Sequence, residues 1–214
     1  MLTYPRTCST ARSPIKRGLD FVGATLGMIV LSPVIAGVAL AVRRRMGSPV
    51  IFRQARVGRR GTLFCLRKFR TMTDARDEKG NLLPDEVRVT RLGASLRRYR
   101  LDELPELYNV WVGDMSLVGP RPLPPQHVRS MSFAQARRHE VRPGLTGWAQ
   151  VSGNTLLGTN EKTALDVWYL DHRSVRLDFT ILIQTVGVLL GGERVRQARV
   201  EEALAYADRG RGER

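Results

Sequence analysis

The chain has 214 residues, 43% hydrophobic and 26% charged, which fits one folded domain of ordinary size and excludes a disordered chain. Its 35 Lys and Arg against 20 Asp and Glu leave a formal charge of +15, so its partner is acidic: nucleic acid, an anionic membrane surface or a phosphorylated substrate. Cys8 and Cys65 belong to no CxxC pair and read as reduced thiols on a cytosolic face, while His127, His139 and His172 lack zinc-ligand spacing.

The first predicted element is the uncharged run FVGATLGMIVLSPVIAGVALAV, residues 21–42. As one straight helix it would reach about 33 Å, enough for a hydrocarbon core of about 30 Å. Basic residues follow it and no cleavage site does, so it is not a removable leader. Ser32 and Pro33 stand at its middle. Proline removes a backbone donor and clashes with the preceding turn, and Ser32 can satisfy a freed carbonyl. Each half is then too short to cross. Lys16 and Arg17 precede the run and Arg43, Arg44 and Arg45 follow it, which places both ends on the cytoplasmic side. A re-entrant helix satisfies both flanks and a kinked span satisfies one; these residues alone leave both readings open.

From residue 48 the pattern predicts an α-rich domain with short extended pieces. SPVIFRQARVG (48–58) and GTLFCLRKFRTM (61–72) read as a hairpin with its turn near GRRG. TDARDEKGNLLPDEVR (73–88) reads as a surface loop, and 91–100 as an amphipathic helix. A helix resumes at LPELYNVWVGDM (104–115), with Pro105 in its first turn. GPRPLPPQ (119–126) reads as an extended strip and RPGLTGW (142–148) as a turn. LDFTILIQTVGVLLGG (177–192) reads as a core or membrane-surface helix, and the Arg- and Glu-rich end as a solvated tail.

Asp102 and Glu103 open the second helix among Arg97, Arg98 and Arg100. As structural groups they would cap the helix and pair with those arginines. As functional groups, ionised by their surroundings, one would attack phosphorus and the other would hold Mg2+. Arg121, clamped between prolines, suits a phosphate clamp or a rigid surface loop. Arg142, the Thr146 hydroxyl and the amides around Gly144 and Gly147 suit an anion nest. Lys68 and Arg70 are phosphate ligands or solvated strand charges.

The order of these motifs resembles the bacterial initiating sugar transferases, the monotopic phosphoglycosyl transferases. KRGLD (16–20), the apolar run with Ser32-Pro33, SPVIFRQARVG, KFRTM and RDEKGNLLPDEVR carry it. It continues through LDELPELYNVWVGDMSLVGPRP (101–122), RPGLTGWAQVSGN (142–154) and LDVWYLDHRSVRLDFTIL (165–182). The resemblance implies transfer of a sugar 1-phosphate from a UDP-sugar to polyprenyl phosphate, with release of UMP. It implies Asp102 as the nucleophile that forms a covalent phosphosugar, and Glu103 as the residue that holds Mg2+. Lys68, Arg97 and Arg121 match basic positions of the family, Asp166 matches a further acidic one, and the RPGLTG turn is expected at the phosphate end of the site.

The fold so implied is mostly helical α/β: a compact cytoplasmic domain with a re-entrant membrane helix broken at Ser32-Pro33 and interfacial amphipathic helices. Its expected parts are a tail (1–13), the re-entrant helix (14–45), the catalytic domain (46–192) and a C-terminal tail (193–214). The expected place is the cytoplasmic face of a bacterial inner membrane, against anionic lipids. A homodimer is admissible. The chain starts just before KRGLD and so resembles the minimal catalytic unit. A membrane-tethered nucleic-acid module would explain the charge, but no reading motif or base-stacking platform is present, and no nucleic acid is expected. An inert scaffold of the same fold would not need the acidic pair.

Overall fold

The computed structural model describes residues 14–128 and 131–212. The expected N-terminal tail, with Cys8, lies outside the described residues. Helices α1 (Pro14–Val30) and α2 (Ser32–Met46) meet at a 63° bend around Leu31. The cause is local: Pro33 has no N–H to donate, and the Ser32 hydroxyl donates to the Ile29 carbonyl at 2.8 Å. The break falls where the sequence placed it. Among the described residues no single helix is long and apolar enough to cross a membrane, although the bent pair passes that test together.

Helix α1 inverts the pattern of a soluble surface helix. Leu19, Val22, Leu26 and Ile29 point outward, each at least half exposed. Its polar side chains face the domain instead. Buried Asp20 accepts from the Ser116 hydroxyl at 2.9 Å and the Leu117 N–H at 3.0 Å. Arg17 donates to the carbonyls of Val110 and Trp111 at 2.7 and 2.6 Å. Those are orphan carbonyls at the end of a helix, where a cation is favoured. Lys16 pairs with Asp178. KRGLD therefore docks α1 on the domain, beyond the flanking charge it contributes.

Strands β1 (Ile51–Val57) and β2 (Leu63–Phe69) form the expected antiparallel hairpin, with Phe52 opposite Lys68. The loop after it holds a single helical turn, α3 (Asp85–Arg88), then α4 (Arg91–Arg98), capped by the Thr90 hydroxyl on the Gly93 N–H at 2.9 Å. Gly93 is required by close approach: a Cβ there would lie 1.9 Å from the Thr71 carbonyl oxygen. That contact lets Arg97 reach Thr71, donating through Nε to its hydroxyl at 3.0 Å.

Helix α5 (Glu106–Val112) follows, then β3 (Ser116–Val118), α6 (Pro125–Val128) and α7 (Phe133–Ala136). The RPGLTGW segment is not only a turn. Its Gly144–Thr146 is a strand, β4, parallel to β3 with Ser116 opposite Gly144. Gly144 is again a close approach, since a Cβ would stand 2.0 Å from the Gly119 nitrogen. The extended GPRPLPPQ strip holds through Leu123, whose carbonyl accepts from the Val57 N–H at 3.0 Å, and then turns into α6.

The main core joins α8 (Trp148–Val151), α9 (Thr159–His172), α10 (Val175–Gly191) and α11 (Gln197–Gly212), around Leu165, Tyr169 and Ile181. The expected solvated tail is therefore corrected. Residues 197–212 form α11, which buries Val200 and Ala203 and places Arg199 4.1 Å above the Trp148 ring. Val200, Ala203, Leu204 and Ala207 follow helical spacing, but two of these four are alanines beside many charges, so the stripe reads faintly.

His139 has a structural role. It is buried, hydrogen-bonded to the Gly58 backbone, and its Nε2 has no partner among the described residues. Burial, helped by adjacent Arg138, pushes its pKa down to about 4. A lowered histidine stabilises the fold above its unfolded value of 6.5, and that stability is lost as pH falls through about 4. Chemical denaturation across this window should show a loss on the order of 3 kcal/mol, largely absent in His139→Gln. An unchanged slope in that variant would contradict the buried neutral ring.

Candidate active site

Asp102 and Glu103 share one 3-10 turn, Leu101–Glu103, between α4 and α5. Arg100 enters it in a left-handed conformation, φ 53°. The turn lies against β2, and Lys68 on that strand gathers the acids. Its Nζ is 2.7 Å from Glu103 Oε1 and 3.2 Å from Glu106 Oε1. Arg121 from the GPRP loop donates to the same Glu103 oxygen at 2.6 Å, and Arg100 Nη1 stands 3.7 Å from Glu103 Oε2.

The two adjacent acids are not equivalent. Glu103 is buried, but Arg121 and Lys68 outweigh that cost and hold its carboxyl well below the usual range. Asp102 has no such partner: among the described residues no side chain donates to its carboxylate. Burial dominates and pushes its pKa up, while Lys68 and Arg97 act in the opposite sense. The expectation that their surroundings keep both acids ionised is supported for Glu103, through Lys68 as well as Arg121, while burial works against it at Asp102. A desolvated, uncommitted carboxylate is the more reactive oxygen of the two.

Asp102, Glu103, Lys68, Arg97, Arg121 and Asp166 line one open cavity of about 1560 Å³. Arg142 and Thr146 lie outside its lining. Arg142 donates to the Gly113 carbonyl at 2.7 Å, Thr146 shares a hydrogen bond with Thr185 at 2.7 Å, and the Gly144 N–H donates to Pro120 at 2.9 Å. The amide of Gly144 and the two side chains of the supposed anion nest thus bind protein, buttressing the chain around GPRP.

Asp166 on α9 is buried against Arg138, with Oδ2 and Nη2 2.6 Å apart. The contact is ionic without hydrogen-bond alignment, and Nη2 also donates to the Arg121 carbonyl at 3.1 Å. Burial pushes Asp166 up to about 6 against the pull of Arg138 and Lys162. Two site residues were missed from sequence. Glu106 stands one turn beyond Asp102 in LDELPE, a visible spacing. Burial pushes its pKa up, the Glu103 charge adds to this, and Lys68 opposes it. Arg138 carried no local signal.

The donor set can be tested against Mg2+. Among the described residues no three His, Cys, Asp or Glu side chains converge as a metal cage. Mg2+ does not need one: it keeps waters and binds one or two carboxylates together with substrate phosphates. Glu103 Oε1 is committed to Lys68 and Arg121, whereas Oε2 has only the distant Arg100, so one carboxylate oxygen remains to offer beside Asp102. That set fits.

Comparison with known proteins agrees with the geometry. The chain is 47% identical over 196 residues to an uncharacterized sugar transferase, EpsL, of Bacillus subtilis (strain 168), covering 92% of this chain and 97% of that one. It is 39% identical over 193 residues to a UDP-glucose:undecaprenyl-phosphate glucose-1-phosphate transferase of Escherichia coli (strain K12), covering 86% of this chain and 42% of that one. A UDP-N-acetylgalactosamine-undecaprenyl-phosphate N-acetylgalactosaminephosphotransferase of Aeromonas hydrophila is 36% identical over 187 residues, 83% and 44%. The chain thus spans nearly all of the Bacillus relative and less than half of the other two. Residues 11–192 match the bacterial sugar transferase family, and they contain both the bent helix pair and every residue of the acidic turn. The chain belongs to the bacterial sugar transferase family.

Proposed function

We propose that this protein transfers a sugar 1-phosphate from a UDP-sugar to polyprenyl phosphate, with Asp102 as nucleophile. The observation that carries the reading is the contrast within one turn: Glu103 neutralised by Lys68 and Arg121, and Asp102 with no side-chain donor among the described residues, both in the same cavity. Relatives named for this activity with undecaprenyl phosphate, at 36–39% identity, support it.

Asp102 Oδ attacks the β-phosphorus of the donor. The bond to the bridging oxygen breaks and UMP leaves with its electron pair. A phosphate oxygen of the acceptor then attacks the aspartyl phosphorus, which frees the Asp102 carboxylate and leaves a polyprenyl diphosphate sugar. Arg121 and Lys68 sit where phosphate charge collects, and Arg97, held by Thr71, adds a third cation. Glu103 and Asp102 would hold Mg2+, which when bound neutralises the diphosphate.

A lipid acceptor requires a site at the membrane. The outward apolar face of α1 and the 63° bend support a re-entrant helix entering and leaving one leaflet, with the basic domain on anionic lipids at the cytoplasmic face. Single cysteines replacing Pro14 and Arg45 in intact spheroplasts should both resist an impermeant maleimide until lysis. Labelling of either from outside would make the pair a broken span.

The test of activity is UMP release by purified protein given Mg2+, undecaprenyl phosphate and a panel of UDP-sugars. Donor without acceptor should leave a phosphosugar mass on Asp102. Silence across the panel would remove the reading. Salt-sensitive binding of DNA or RNA, indifferent to Asp102 and Glu103, would replace it.

A further inference from the structure

Glu193 follows the end of α10 and takes no part in the steps above. Its carboxylate gathers two segments distant from it in sequence. Oε1 accepts from Arg100 Nη2 at 2.6 Å and from the Asn154 side-chain amide, and Oε2 accepts from the Thr155 N–H at 3.1 Å and from its hydroxyl. The chain just beyond is fixed too, since Arg196 donates to the carbonyls of Ser152 at 2.9 Å and Val151 at 3.2 Å. Against the cost of burial, the bonds from Thr155, Asn154 and Arg100 hold the Glu193 carboxyl below the usual range.

Both side chains held at Oε1 belong to strained backbone. Arg100 has φ 53° and Asn154 φ 44°, left-handed conformations of non-glycine residues that persist only where surroundings over-determine them. Arg100 is the residue before the turn of Asp102 and Glu103, and its other guanidinium nitrogen faces Glu103. Arg100, Asn154, Thr155 and Glu193 all line the cavity.

We propose that Glu193 is a positioning residue for the transfer: it clamps Arg100 and Asn154 in their left-handed backbones and so sets where Asp102 points. This rests on the reaction proposed above. All its partners present donors, so an amide at 193 would bring two more donors to a site that needs acceptors. Misplacement of a reacting group by about 1 Å costs on the order of 100-fold in rate.

The test compares full-length wild type, Glu193→Gln and Glu193→Asp. In Glu193→Gln, kcat should fall roughly 10- to 100-fold while donor KM moves less than about twofold. Glu193→Asp, which keeps charge and acceptors, should recover part of the loss. Hydrogen exchange should quicken in peptides covering 99–104 and 152–156 of the Gln variant. Unchanged exchange at 99–104, an effect confined to KM, or a rate loss explained by less folded protein would overturn the proposal. If wild type is silent with every donor, the transferase reading falls instead. Exchange then judges the clamp by itself, and unchanged exchange sinks it.

Discussion

Asp102→Asn should lower UMP release by roughly three orders of magnitude or more, with no loss of fold. The amide has the same shape and no charge, so it fills the same space in the 3-10 turn without being able to attack phosphorus. No described side chain donates to the lost charge, and burial outweighs the pull of Lys68 and Arg97 on it. Burial already pushes the Asp102 carboxyl up, which means its ionised form is held against a desolvation cost. The neutral variant should therefore be at least as stable as wild type, a site where reactivity and stability oppose each other. Glu103 differs, since Arg121 and Lys68 hold that carboxyl below its usual range. Turnover within tenfold of wild type, or a phosphosugar trapped equally well on Asp102→Asn, would mean that another group attacks.

What was legible in the sequence is what local chemistry dictates. Ser32-Pro33 announces a break because a missing N–H acts on the turn beside it. The hairpin at 51–69 shows because each strand has seven residues of its own and a Gly-bounded turn. Asp102 and Glu103 stand out as adjacent acids in a basic stretch. What was not legible depends on partners far away in the chain. Strands β3 and β4 have three residues each, too short to leave a period, and pair in parallel across the intervening 25 positions. That Arg142 and Thr146 lie outside the cavity lining was not legible, since a Gly-rich turn beside an arginine looks the same whether the Gly144 amide faces a phosphate or the Pro120 carbonyl. Glu193 looked like one more charge in a tail; only the fold shows that it meets Arg100, 93 positions earlier.

Asp166 and Arg138 should respond asymmetrically to substitution, and the asymmetry tests what the pair does. Asp166→Ala leaves a guanidinium 6% exposed with no counter-charge. Arginine cannot shed its proton, so the full cost of an unpaired buried charge falls on the fold, about 3–5 kcal/mol by denaturant titration. Arg138→Met leaves the carboxyl, which can escape by taking a proton. Its pKa is about 6 even with Arg138 present and would rise further without it. For an acid with a raised folded pKa, stability is present below its unfolded value of 3.8 and is lost as pH rises through the folded one. Arg138→Met should accordingly be mild at pH 5 and worsen toward pH 8, whereas Asp166→Ala should stay costly throughout. Asp166→Leu combined with Arg138→Met removes both charges and should regain most of the lost stability, to within about 1–2 kcal/mol of wild type. Turnover should not return with it. Arg138 also donates to the Arg121 carbonyl, and the GPRP loop that carries Arg121 loses that tether in the double variant. A double variant as unstable as Asp166→Ala would show that charge pairing is not what holds α9 to this loop. Full recovery of turnover would show that Arg121 is positioned by its prolines and by Glu103 alone.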